Sequence, residues 1–327
     1  MGKISVMIKK TVFVGTPEFS VPTLFALINS DFKPELVITQ PDRPKGRKLV
    51  LTAPPVKELA IQYGIDVIQP DDINNPDVIA KLQEIQPDII ITISYGGFIG
   101  KVIRKIAPLG VINIHPSILP MYRGSTPIQT ALLNGDQETA VTIFKIIAKM
   151  DAGPILYQKR YPINPKWNYT TLEDFLSQIA GHDLISFLEF INTFPSIDDY
   201  LYIHKTQPIE NVSYTTKVTR ETLNLDWNQN AVKIHHLVRS YSEIPAVYTF
   251  LNNHECKIIE TQLTERPSIA TPGTITDIVK NWGLYVATKD YDLFIKKIQK
   301  AGKRIMDSSE FINGTKVTIG DIFNNGL

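Results

Sequence analysis

Cysteine is almost missing from this chain. Cys256 is the single thiol in 327 residues, so no internal disulfide and no cysteine-based zinc site can form, which suits a reducing compartment. Long apolar runs are missing too, and no segment approaches the ~20 residues of a membrane span. Residues 1–10 hold three lysines and lack the roughly 7–15-residue apolar run of a secretory signal. A cytoplasmic protein with no membrane partner is therefore expected. An excess of one charge is also lacking. Lys and Arg number 34 against 33 Asp and Glu, so any anionic partner must meet a local patch. Several signatures of known chemistry are absent. Gly15 opens no G-x-G-x-x-G, and the chain has no P-loop, H-E-x-x-H or nucleophile elbow. No metal-ligand spacing occurs, so no metal is expected.

What is present is ample apolar material, 43% of residues, in a chain long enough for two domains. Over the first 150 residues, short β-branched runs at 11–15, 36–39, 66–68, 88–94 and 110–114 read as buried strands. Between them, 18–29, 55–63 and 76–85 carry helical spacing, and two of these open on proline, the favoured first-turn residue. Such alternation implies an α/β fold, a doubly wound, mostly parallel Rossmann-like sheet. Segments 141–147 and 155–161 read as a further strand pair, and 171–192 as a long helix. From residue 213 the texture changes to short strands at 246–251, 257–263, 273–279 and 283–288, with one helix at 231–240. That spacing suggests a smaller β-barrel. The expected organisation is thus a catalytic domain over 1–194, a polar linker over 195–212 and a β-barrel domain over 213–327.

Three stretches can carry chemistry. In 110–129, GVINIHPSILPMYRGSTPIQ, an apolar strand ends in Asn113-Ile114-His115. Period two points Asn113 and His115 the same way, toward the crevice at the strand's carboxyl end. An Asn amide there can donate to a developing oxyanion, and a His can accept or relay a proton. The same pair can equally cap a strand end. In 149–154, KMDAGP, Asp151 opens a Gly-Pro turn. It can make a local Asx bond, or orient a nearby histidine if the fold brings one close. In 40–55, QPDRPKGRKLVLTAPP, Arg43, Lys45, Arg47 and Lys48 place four cations in six residues of a mobile loop. The loop is either simply solvated or able to grip phosphates. A second basic cluster, Lys296, Lys297, Lys300, Lys303 and Arg304, falls in the β-rich part. His235 and His236 fall on the expected helix 231–240, as packing or surface residues.

The run NIHPSILPMYRGSTPIQ resembles the folate-dependent formyltransferases, whose signature is Asn-x-His, a Ser-Leu-Leu-Pro loop and an Arg-Gly. MDAGPIL is similar to that family's Asp-x-Gly turn. FVGTPEFSVPTLFAL, TQPDRPKGRKLVLTAPPVKELA, SYGGFIG, SYTTKVTRETLNLDW and the ending AGKRIMDSSEFINGTKVTIGDIF extend the likeness over nearly the whole chain, closest to members that formylate methionyl-tRNA. The resemblance implies 10-formyltetrahydrofolate as formyl donor and the α-amine of methionyl initiator tRNA as acceptor; apart from the resemblance, a monomer is expected. It implies Asn113, His115 and Asp151 as the catalytic trio. Ser117, Ile118, Leu119 and Pro120 would be the folate-contacting loop, with Ile118 where the family usually has its second leucine. Arg43, Lys45, Arg47 and Lys48 would approach the tRNA, on a loop shorter than usual. Relatives acting on a sugar nucleotide, a purine precursor or formylfolate would share the trio. A non-catalytic nucleic-acid-binding protein is the reading from another class, and a nicotinamide oxidoreductase fails on the missing glycine fingerprint.

Overall fold

The computed structural model describes residues 6–46 and 49–326. Two compact units emerge. The first is built on β1 (Thr11–Gly15), α1 (Val21–Ile28), β2 (Pro34–Ile38), β3 (Arg43–Lys45), β4 (Val50–Thr52), α2 (Pro55–Gln62), β5 (Asp66–Ile68), α3 (Pro76–Ile85), β6 (Ile89–Ile93) and β7 (Val111–His115). Its main sheet has seven strands among the described residues, in the order β5-β2-β1-β6-β7, then β8 (Glu138–Lys145) and β9 (Ile155–Pro162). The first five run parallel, and β8 and β9 are antiparallel additions. The apolar strands β1 and β6 are buried on both faces, as a parallel sheet covered on both sides requires. Val12, Val14, Leu36, Ile38, Ile90 and Leu82 form one of its cores. The chain leaves β1 in one direction to β2 and returns to β6 on the other side. The carboxyl ends of β1, β6 and β7 therefore flank a topological switch point, where open sheets place their crevice.

Two expectations need correction here. The basic stretch is no loose loop: Arg43–Lys45 and Val50–Thr52 pair as an antiparallel hairpin. Both faces of that hairpin are largely exposed, so no alternation of burial marks it in the sequence. The segment 195–212 carries a short helix, Ile197–Tyr202, and packs within the first unit. Tyr200 is fully buried there, donating its hydroxyl to the Leu109 carbonyl at 2.9 Å.

The second unit gathers 125–137, 163–172 and 216–327. Its sheet, again seven-stranded among the described residues, is antiparallel. An isolated bridge between Thr274 and Ile322 ties the two ends of that sheet together, so it curls round its own core. Trp227 stacks on Phe323 at 5.5 Å and donates its indole N–H to Thr249 at 3.0 Å, so its polar atom stays satisfied in an apolar core. Strand Leu293–Lys300 carries part of the second basic cluster. Lys296 and Lys297 both face Glu260, at 3.4 and 3.1 Å, and Arg304 faces Glu310 at 3.0 Å. Three of those five cations are thus offset by carboxylates, which weakens the cluster as an anion patch.

His235 sits on the helix Ala231–Ser240 with Nδ1 2.8 Å from the Thr261 hydroxyl. Burial first, then the neighbouring Arg239 and His236 charges, push it down to about 4. Between that value and the ~6.5 of a free histidine, the unfolded chain binds the extra proton. Stability is therefore present above pH ~6.5 and is lost as pH falls toward 4, by up to about 3 kcal/mol from this group. The thermal midpoint should drop between pH 7 and 4.5, and His235→Gln should drop less. An equal drop in both proteins would contradict this assignment.

Candidate active site

β7 delivers two polar side chains to the crevice. Ile112 and Ile114 point into the core, so period two turns Asn113 and His115 to the other side. Thr92, on neighbouring β6, places its hydroxyl 2.8 Å from Asn113 Oδ1 and 2.9 Å from the Ile112 carbonyl. Held by its oxygen, Asn113 turns its Nδ2 hydrogens away from Thr92, where they can donate.

His115 is only 5% exposed. Its Nε2 lies 2.9 Å from the Tyr122 carbonyl, which can only accept, so Nε2 carries the hydrogen. Nδ1 then holds the lone pair, 4.0 Å from Asp151 Oδ2. That is an ion-pair distance, realised when the ring takes a second proton. Burial pushes His115 below the ordinary histidine value, while the Asp151 carboxylate and the Tyr122 carbonyl pull the other way. The ring is neutral at pH 7 and has a carboxylate waiting for its charge. Phe144 walls its edge at 6.4 Å.

Asp151 is fixed from the other side. Its Oδ2 accepts the Gly124 backbone N–H at 2.7 Å. The backbone here is strained: Tyr122 and Asp151 adopt φ of 61° and 46°, and Gly124 sits at 119°. Left-handed backbone in non-glycine residues costs roughly 1–3 kcal/mol and gathers where function over-determines geometry. At Gly124 only glycine serves, because a Cβ would also collide with the Thr215 hydroxyl.

The residues singled out by sequence thus meet in part. His115 and Asp151 meet at 4.0 Å, and Asn113 lies two residues from His115 on the same strand. Ser117 is fully buried and donates its hydroxyl to the Met121 carbonyl, so it shapes the loop. Ile118, Leu119 and Pro120 line a groove of about 550 Å3 with Met121, Leu156 and Tyr157. Arg160, ion-paired to Glu138 at 2.6 Å, and Lys205 stand at that groove. Arg43 and Lys45 lie exposed on the β3–β4 hairpin, and Arg47 and Lys48 lie outside the described residues. Sequence reasoning missed Thr92, whose one signal is a polar residue inside the apolar run IIITI, and Gln207, which has none.

The family description "Formyl transferase" matches residues 9–188, and "Formyl transferase, C-terminal domain" matches 217–316. The methionyl-tRNA formyltransferase of Bacillus subtilis is 37% identical, over 96% of this chain and 97% of its own. That of Thermodesulfovibrio yellowstonii is 41% identical, over 94% and 97%. Among solved structures, an N-formyltransferase from Helicobacter canadensis, in complex with folinic acid and dTDP-3-aminofucose, shares the fold. Its TM-score is 0.62 at 21% identity, covering 90% of this chain and all of that one. HypX from Aquifex aeolicus gives 0.60 at 14% identity over 96% of this chain, which spans only 48% of that protein. With both family regions matched and full-length relatives well above 30% identity, the chain belongs to the formyl transferase family, in its methionyl-tRNA formyltransferase branch.

Proposed function

We propose that this chain transfers the formyl group of 10-formyltetrahydrofolate to the α-amine of methionyl initiator tRNA. The observation that carries this reading is the His115–Asp151 pair at 4.0 Å beside Asn113 on the same strand, in a chain of which 94% aligns with a methionyl-tRNA formyltransferase. The amine nitrogen bonds to the formyl carbon, the carbonyl oxygen becomes an oxyanion, and the carbon–nitrogen bond to folate then breaks. Asn113 Nδ2 donates to that oxyanion. His115 takes the amine proton at Nδ1 and returns it to the leaving folate nitrogen, while Asp151 stabilises the intervening imidazolium. Nε2, held by the Tyr122 carbonyl, keeps the ring in the tautomer this needs.

Ile118, Leu119 and Pro120 are proposed as folate contacts, on a loop fixed by Ser117. Arg43 and Lys45, with Arg47 and Lys48, are proposed as phosphate contacts for the tRNA. The curled antiparallel sheet of the second unit is proposed as an OB-like module for the same ligand. The protein is proposed to work as a cytoplasmic monomer, with a catalytic region within 1–194 and a tRNA-contacting module within 213–327.

Acceptor competition tests the reading. With 10-formyltetrahydrofolate as donor, formyl should appear on methionyl initiator tRNA and not on free methionine or an aminosugar nucleotide. Arg43→Glu should raise the KM for tRNA and flatten its dependence on salt, by about one phosphate contact on a log–log plot. Equal formylation of an aminosugar nucleotide, or an unchanged salt slope, would contradict it.

A further inference from the structure

Between the β7–β8 connection and the 151–154 turn lies a side chain that the proposed chemistry does not use. Gln207 is only 6% exposed, although it belongs to the polar stretch expected as a linker. Its Nε2 donates to the carbonyls of Asp151 and Gly153, each at 2.8 Å. Its Oε1 accepts from Arg123 Nη2 at 2.6 Å and Nε at 3.2 Å. Arg123 is itself 4% exposed, and its Nη1 reaches the Tyr214 hydroxyl at 3.4 Å. One amide therefore joins the two arms of the trio. One arm is the Tyr122–Gly124 turn, which pins His115 and donates to Asp151; the other is the strained turn carrying Asp151.

The surrounding backbone acts in the same direction. Arg123 N–H donates to the Ser213 carbonyl, Thr215 N–H to the Arg123 carbonyl, and Ile155 and Lys205 exchange a pair of such bonds. Segment 205–215 is thus a strap across both arms, and the buried Gln207 side chain bonds to both. An amide is suited to this task because it donates two hydrogens and accepts at the same time. Asp151 holds a left-handed backbone at φ 46°, a conformation that needs outside support.

We propose that Gln207 is a positioning residue, setting the spacing of the Asp151 carboxylate from His115 Nδ1. This rests on the catalytic reading of the trio, yet its structural arm can be measured apart from turnover. In Gln207→Met the turn at Asp151 relaxes, and the carboxylate no longer supports the protonated ring. The His115 titration, followed by NMR and assigned with His115→Gln, then moves to lower pH. In an Asp151→Asn background the same change produces no further movement. Turnover number falls about 10- to 100-fold, as a misplacement of about 1 Å can cause, while KM for the folate stays within about twofold. Gln207→Glu serves if the methionine variant does not fold. It keeps an acceptor for Arg123, replaces the donation to the two carbonyls by a carboxylate oxygen, and should show the same kcat loss with KM held. A His115 titration unmoved by Gln207→Met, or full kcat in folded Gln207→Glu, overturns the positioning role. If instead Asp151→Asn retains full turnover while the titration still responds to Gln207, the catalytic reading fails and the positioning one stands.

Discussion

Replacing His115 by alanine should lower kcat by about 10²–10⁴-fold, the span that a positioned general base contributes. The ring is buried and its Nε2 hydrogen is committed to the Tyr122 carbonyl, so no other nitrogen in the trio offers a lone pair to the amine. The fold should survive, because His115 ends its strand and Ile112 and Ile114 supply the core contacts. The pH dependence follows from the direction of the shift. Burial keeps the ring neutral to lower pH than a free histidine, so its base form persists below pH ~6.5. A His115 ring titration, followed by NMR, that lies above the free-histidine value would be inconsistent with a neutral His115 as base.

Asn113→Ala should cost kcat about 10²–10³-fold, roughly 3–4 kcal/mol of transition-state stabilisation for one lost oxyanion donor. Because the donation matters only once charge develops, folate and tRNA binding should be nearly unchanged. Thr92 makes the case sharper. Its hydroxyl holds Asn113 Oδ1, so Asn113→Asp would turn a carboxylate oxygen toward the site in place of a donor. That variant should be at least as impaired as the alanine. A fall in affinity with kcat preserved would instead make Asn113 a binding residue.

How much of this could be read from the sequence differs from element to element. β7 was legible because an apolar strand ended in two polar residues at period two, and the direction of both followed from the pleat alone. Asp151 was legible as a turn residue but not as a partner of His115. Their meeting depends on the backbone path of 146–154 and on the Gly124 N–H, neither of which has a local signature. The β3–β4 hairpin read as a loop since exposure on both faces removes the alternation that marks a strand. The segment 195–212 read as a linker because it is polar, yet its polar side chains are used inside the first unit. Gln207 spends all of its hydrogen bonds there. Composition reports which groups need partners; only the fold decides whether water or protein supplies them.

On the proposed mechanism, Asn113, His115 and Asp151 move formyl from folate to the amine of methionyl initiator tRNA. The most direct measurement is single-turnover transfer of isotopically labelled formyl from 10-formyltetrahydrofolate to that tRNA, by the wild type and by Asn113→Ala. Folate binding by each protein would be measured in parallel. The expected result is label on the α-amine with the wild type, and a rate about 10²–10³-fold lower with Asn113→Ala at equal folate affinity. Label transferred at the wild-type rate by Asn113→Ala, or no transfer to the tRNA by folded, folate-bound wild type, would contradict it.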